Sequence, residues 1–262
     1  GPNYSVVSAC ASSNHAMIDA CNLIRWGKAD MIVTGGSEAP IIIPSVGGFS
    51  SMRALSTRND DPKHASRPFD KDRDGFVLAE GAGALIFEEY EHAMKRGATI
   101  YAEVAGYGNS CDAHHYTAPR PDGIPASKAI RMALEEAGYT ADDTLYINAH
   151  GTSTPLNDKT ETNAIKLAVG EDNARKALIS STKSMTGHML GATGAVELIA
   201  ATLTVKNGVV APTIGLDEPD PECDLDYVPN ASRKADLTIA ISNSLGFGGH
   251  NSCVALRKWS NE

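Results

Sequence analysis

The chain has 262 residues, 42% of them apolar and 21% charged, with 23 Lys and Arg against 32 Asp and Glu for a net charge of −9. This is ordinary globular composition, and the acidic balance excludes a general nucleic-acid binder, which needs a concentrated basic face. Cys10, Cys21, Cys111, Cys223 and Cys253 are scattered without a CxxC pair, so neither a disulfide framework nor a zinc site is expected and a reducing cytoplasmic setting is. No apolar run is long enough to span a bilayer.

The chain starts without Met at a Pro2-Asn3-Tyr4 that leads into an apolar run, so a missing upstream portion is expected. Tyr4 to Ala9 reads as a short buried strand, and Ala11 to Trp26 as a helix with Ala16, Ala20, Leu23, Ile24 and Gly27 on one face. Met31 to Thr34 reads as a strand ended by Gly35-Gly36, and Pro40 to Gly75 as a turn-rich polar stretch. A strand over Gly81 to Glu88 and a charged helix over Glu89 to Arg96 follow. The alternation restarts with a strand from Tyr101 to Tyr107, an irregular stretch to Pro125 and a helix from Ala126 to Ala137. Leu145 to Asn148 is a strand followed by a polar helix, and Leu178 to Thr182 is a strand followed by a helix from Ala192 to Val205. The last strands are Leu237 to Asn243 and Ser252 to Arg257. Strand, Gly-containing turn and helix in recurrence is the signature of a layered α/β fold.

Four of the apolar strands run into chemically loaded residues: Cys10, then His150, then Lys183 with His188, then Gly246-Phe247-Gly248-Gly249. In open α/β sheets, ligands collect beyond the carboxyl ends of strands. A free Cys is by default a buried structural residue, and Cys21, Cys111, Cys223 and Cys253 take that reading. Cys10 differs because it stands at a strand-to-helix junction, where a helix dipole favours a thiolate. Making a thiol mostly ionised at neutral pH needs about 2–3 kcal/mol, and the dipole contributes about 0.3–1, at best ~2. A second positive or hydrogen-donating group is therefore expected beside the sulfur. Of the eight histidines, His150 and His188 lie at strand ends among Gly and hydroxyl residues. Capping explains the Ser and Thr there but not the imidazoles. GFGG reads either as a plain hairpin turn or as a source of backbone N–H groups for half of an oxyanion hole. No HExxH, Cys/His ligand spacing or tight Asp cluster suggests a metal.

Six stretches carry a more specific signal: SACAS around Cys10, ALSTRNDDP at Ala54 to Pro62, RPFDKDRDGFVLAEGAG at Arg67 to Gly83, INAHGTSTPLND at Ile147 to Asp158, SSTKSMTGHMLGATGAVE at Ser180 to Glu197, and NSLGFGGHN at Asn243 to Asn251. Together they resemble the β-ketoacyl-acyl-carrier-protein synthases, the type II elongating condensing enzymes most closely, over essentially the whole chain. The resemblance implies the thiolase fold, an α/β architecture layered αβαβα, here lacking its N-terminal portion. Residues 1–97 resemble the latter part of the first thiolase-like half and 98–262 the second half.

The implied reaction is a decarboxylative Claisen condensation that lengthens an acyl chain by two carbons through an acyl-Cys intermediate. On that template Cys10 is the nucleophile, His150 and His188 donate hydrogen bonds to the enolate oxygen, and Lys183 holds the charge of the site. Phe247 resembles a gate, with its backbone N–H and that of Cys10 forming the oxyanion hole. Thr117 and Thr152 resemble pantetheine-binding hydroxyls, Arg53 a basic contact for the acidic carrier, and Asp158 and Glu197 anchors behind the site. The implied partners are acyl carrier protein and a second copy of the chain, with no nucleic acid or membrane and no cofactor beyond the carrier's phosphopantetheine. A type I elongation synthase, a polyketide ketosynthase, and an inactive remnant or partner subunit stand as alternatives.

Overall fold

The computed structural model describes residues 1–260. In chain order the elements are α1 (Ser12–Arg25), β1 (Met31–Glu38), α2 (Ile43–Ser51), β2 (Gly81–Glu88), α3 (Tyr90–Lys95) and β3 (Ala102–Cys111). They continue with α4 (Ile124–Glu136), β4 (Leu145–Asn148), α5 (Pro155–Val169), α6 (Glu171–Lys176), β5 (Leu178–Ser180) and α7 (Lys183–Thr186). The last are α8 (Thr193–Asn207), β6 (Val209–Val210), β7 (Arg233–Lys234), β8 (Ile239–Gly246) and β9 (His250–Lys258).

The main sheet has the order β3-β9-β8-β4-β5; β8, β4 and β5 run parallel, while β9 is antiparallel to β3 and β8. Period-two alternation buries both of its faces. Ile147, Ile239, Ile241, Cys253 and Ala255 pack with Ala126, Ala129, Ile130 and Ala133 of α4 and Ala164 and Ile165 of α5. On the other face Tyr146, Ala240, Val254 and Leu256 pack with Met17, Ile18 and Cys21 of α1 and Leu198, Ala201 and Val205 of α8. Helix α4 lies so close to the sheet that a Cβ at Gly108 would sit 2.0 Å from the Ala129 carbonyl oxygen, so only glycine fits there.

Beyond α1 and α8 lies the antiparallel pair β1–β2. Ile32, Leu85 and Phe87 point back onto the α1/α8 core, while Met31, Val33 and Ile86 are exposed on the outer face. The described residues thus form successive α, β, α and β layers.

Several expectations differ from what is observed. Gly35-Gly36 does not end the strand from Met31: β1 runs on to Glu38 because β2 pairs with it at every position. Tyr4 to Ala9 forms no strand: Tyr4 and Val7 are exposed and only an isolated bridge joins Ser8 to Cys10. An apolar run forms a strand only when a neighbouring edge completes its hydrogen bonds, and no strand of the described residues pairs with it. The stretch read as turn-rich contains α2, started by Pro44 in its first turn, where a missing N–H costs nothing; its Gly47-Gly48 pair masked it. Strand β3 continues to Cys111 because β9 accompanies it, register pair by pair, to His250.

Candidate active site

Strands β4 and β5 end level with one another at the pair Asn148↔Ser180, while β8, in register with β4 at Asn148↔Ser242, runs on to Gly246. His150 stands two residues past β4, and Lys183 opens α7 two residues beyond Thr213-linked Ser181. Phe247, Gly248 and Gly249 form the hairpin turn between β8 and β9, with Gly248 and Gly249 at φ 89° and 79°. The turn lies against the nucleophile: a Cβ at Gly246 would meet Ser8 O at 3.0 Å and Cys10 N at 3.3 Å.

Cys10 immediately precedes the Ala11 cap of α1. Its turn is tight, with Ala9 at φ 52°, Ala11 N donating to Ser8 O at 3.1 Å and Ser8 N donating to Ser12 Oγ at 2.9 Å. A non-glycine residue in the left-handed region is a local strain that the surrounding structure must hold. The side chain is buried, and its Sγ lies 3.2 Å from His188 Nε2. His188 Nδ1 in turn lies 3.0 Å from Thr193 Oγ1. The backbone of His188 is clamped, its N–H donating to Val77 O at 2.7 Å and its carbonyl accepting from Ala79 N at 3.0 Å. The His150 ring meets His188 edge to face at 5.4 Å, and the Phe76 ring meets it similarly at 5.2 Å.

Two buried carboxylates hold this arrangement from behind. Lys183 Nζ donates to Glu197 Oε1 at 2.6 Å, with both side chains 1% exposed. Glu161 accepts from the backbone N–H groups of His150 at 2.7 Å and Gly151 at 2.8 Å, and from Asn243 Nδ2 at 3.2 Å. Asp158 is farther out. It accepts from Phe69 N at 2.9 Å and lies 3.5 Å from Arg73, tying α5 to the loop around residue 70.

Burial governs the electrostatics. It pushes the Cys10 thiol up to about 11, against the opposing pull of the Lys183 charge and of the Phe247 and Cys10 backbone N–H groups. The expected helpers are therefore present around the sulfur, but desolvation outweighs them. His150 and His188 are held well below the ordinary imidazole range, first by burial and then by Lys183, so both are neutral. Burial raises Glu197 to about 7, with Lys183 opposing it.

A cavity of about 570 Å³ reaches the sulfur. Cys10, Arg53, Thr117, His150, Thr152, His188 and Phe247 all line it, whereas Lys183, Asp158 and Glu197 stand behind its wall. Arg53 is exposed, at φ 56°. Thr152 Oγ1 bonds Thr154 Oγ1 at 2.8 Å, and Thr117 N–H donates to His115 Nδ1 at 3.1 Å. Glu161, Asn243, Phe76 and Thr193 escaped the sequence reading. Glu161 and Thr193 lie in helices, where burial is not visible in the sequence, and Asn243 in β8 and apolar Phe76 carry no chemical signal of their own. Among the described residues no group of three or more His, Cys, Asp or Glu is placed to hold a metal ion.

Family profiles match in two parts: the N-terminal domain of β-ketoacyl synthases over residues 1–93 and their C-terminal domain over residues 101–217. The chain belongs to the β-ketoacyl synthase family. It is 55% identical over 259 residues to 3-oxoacyl-[acyl-carrier-protein] synthase 2 of Synechocystis sp., covering 99% of this chain and 62% of that protein. The same-named protein of Staphylococcus aureus is 52% identical over 259 residues with the same coverage. The chain thus spans 62% of the length of the curated relatives it matches.

Among solved structures, a type II polyketide ketosynthase in complex with its acyl-carrier protein superposes with a TM-score of 0.96 at 43% identity, over 99% of this chain and 64% of that one. A β-ketoacyl synthase from Burkholderia phymatum gives 0.91 at 41% identity, over 97% of this chain and 61% of that one. The α/β layers of this chain are those of the thiolase fold. No helix of the described residues is long and apolar enough to cross a membrane.

Proposed function

We propose that this β-ketoacyl synthase chain carries the condensing chemistry of fatty-acid elongation. The observation that carries the reading is the convergence of Cys10, His188, His150 and the Phe247 turn on one cavity, with Cys10 Sγ 3.2 Å from His188 Nε2. The Cys10 sulfur attacks the carbonyl of an acyl thioester on acyl carrier protein, and its S–H proton passes to the departing carrier sulfur. The oxyanion is received by the backbone N–H groups of Cys10 and Phe247, both of which face the sulfur, and the carrier's thiol leaves. A malonyl thioester then enters and its carboxylate departs as CO₂, the C–C bond electrons becoming an enolate. Hydrogen bonds from the neutral His150 and His188 rings stabilise its oxygen, each about 3 kcal/mol. The carbanion carbon attacks the acyl-Cys10 carbonyl, sulfur leaves, and the released chain is two carbons longer.

The remaining roles follow from position. Thr117 and Thr152 line the cavity where a pantetheine arm would lie, and exposed Arg53 offers one cation to an acidic carrier. Asp158 and Glu197 act from behind the wall, and Phe247 gates the cavity. We assign a cytoplasmic enzyme, supported by five free cysteines. The apolar outer face of Met31, Val33 and Ile86 supports a homodimer. The 55% identity to 3-oxoacyl-[acyl-carrier-protein] synthase 2, against 43% to a polyketide ketosynthase, favours fatty acyl substrates.

The test is intact-mass analysis after mixing the protein with acyl carrier protein loaded with an acyl chain. One acyl group is expected on Cys10 and none on Cys10→Ala. Acylation only at another residue would sink the assignment.

A further inference from the structure

Because His188 is neutral, a single proton sits on one of its two ring nitrogens, and its location decides what the ring offers the sulfur. Nε2 faces Cys10 Sγ at 3.2 Å and Nδ1 faces Thr193 Oγ1 at 3.0 Å. Thr193 is 1% exposed at the start of α8, and its hydroxyl has no other hydrogen-bond partner among the described residues. No carbonyl or carboxylate accepts its proton. If His188 carried its proton on Nδ1, the Thr193 O–H would be a buried donor with nothing to donate to. That orphaned donor carries the full desolvation penalty, whereas an unused oxygen lone pair costs far less.

We propose that the Thr193 hydroxyl is a positioning group for the reaction: it donates to His188 Nδ1 and so fixes the ring proton on Nε2, facing the sulfur. The Val77 and Ala79 bonds fix the His188 main chain, and the Phe76 and His150 rings pack edge to face against its imidazole. His188 is thereby set as a donor, to sulfur at rest and to the enolate oxygen during decarboxylation, and not as the base that removes the Cys10 proton. The consequence for turnover rests on the functional reading above; the tautomer assignment does not.

The test is isotope-edited nitrogen NMR of the histidine rings near neutral pH, in wild type, Thr193→Ser and Thr193→Val, with malonyl-thioester decarboxylation measured on the same samples. Wild type and Thr193→Ser are expected to show His188 protonated on Nε2 alone, and Thr193→Val to show a mixture of both forms. Decarboxylation should fall roughly tenfold or more in Thr193→Val and recover to within about twofold in Thr193→Ser, the range for losing a group that orients an imidazole. Matching thermal melts keep the comparison free of misfolding. A wild-type proton on Nδ1, or an unchanged ring in Thr193→Val, overturns the proposal. The predicted ring states with no decarboxylation in any sample would overturn the functional reading and leave the assignment of Thr193 standing.

Discussion

Lys183 Nζ lies 2.6 Å from Glu197 Oε1 in the interior, while the second oxygen of Glu197 has no hydrogen-bond partner among the described residues. The pair puts one positive charge within reach of the sulfur and both imidazoles, since Lys183 acts on Cys10, His150 and His188 alike. A buried charge left alone destabilises more than a pair removed altogether. Glu197→Leu is therefore expected to cost about 3–5 kcal/mol in urea unfolding. The double variant Lys183→Met with Glu197→Leu should be more stable than Glu197→Leu alone, and a double variant less stable than both singles would refute this account.

The same carboxyl makes stability depend on pH in a defined direction. Burial raises Glu197 from its ordinary 4.5 to about 7, so the folded protein binds this proton more tightly than the unfolded chain does. The resulting stabilisation is complete below 4.5 and is lost as pH rises through about 7. Glu197→Gln should flatten that part of the profile, measured by unfolding at a series of pH values. An equally steep fall in the variant would assign the effect to another group.

The resting thiol is expected to react as an un-ionised one. With Cys10 pushed up to about 11, its alkylation by iodoacetamide should rise about tenfold per pH unit between neutrality and about 10. Lys183 lowers that value, so Lys183→Ala should slow the reaction at any pH in this range. Peptide mapping separates Cys10 from exposed Cys111. A rate already flat at neutral pH would show that the resting sulfur is a thiolate.

Glu161 makes no contact with the sulfur yet holds the chain at His150. Glu161→Gln replaces one acceptor oxygen with an NH₂ that faces the donors His150 N and Gly151 N. The expected loss is about 2–3 kcal/mol, typical of hydrogen bonds to a charged group. Malonyl decarboxylation should suffer more than acylation of Cys10, because His150 serves decarboxylation and not acyl transfer. Equal losses in both assays would point to general loosening instead.

The strands were legible because their apolar residues alternate or cluster between glycine-rich turns, and His150, Lys183 and His188 stood out because imidazoles and ammonium groups are foreign to strand ends. Glu161 and Thr193 did not stand out, since a Glu or Thr in a helix is unremarkable until a backbone N–H or a ring nitrogen from elsewhere is seen pointing at it. The run from Tyr4 to Ala9 shows the converse failure. Its apolar side chains satisfy the pattern of a strand, but pattern alone does not supply the neighbouring edge.

Cys10 and His188 are 178 positions apart in the chain, and their contact has a consequence for how the molecule comes together. No local segment can enclose the sulfur: α1, the turns after β4 and β5, and the β8–β9 hairpin must all have met first. Contacts this distant are slow to form because loop closure precedes any reward from packing. Protection of Cys10 from a thiol reagent therefore works as a clock for the end of folding, with Cys111, open to solvent throughout, as its reference hand.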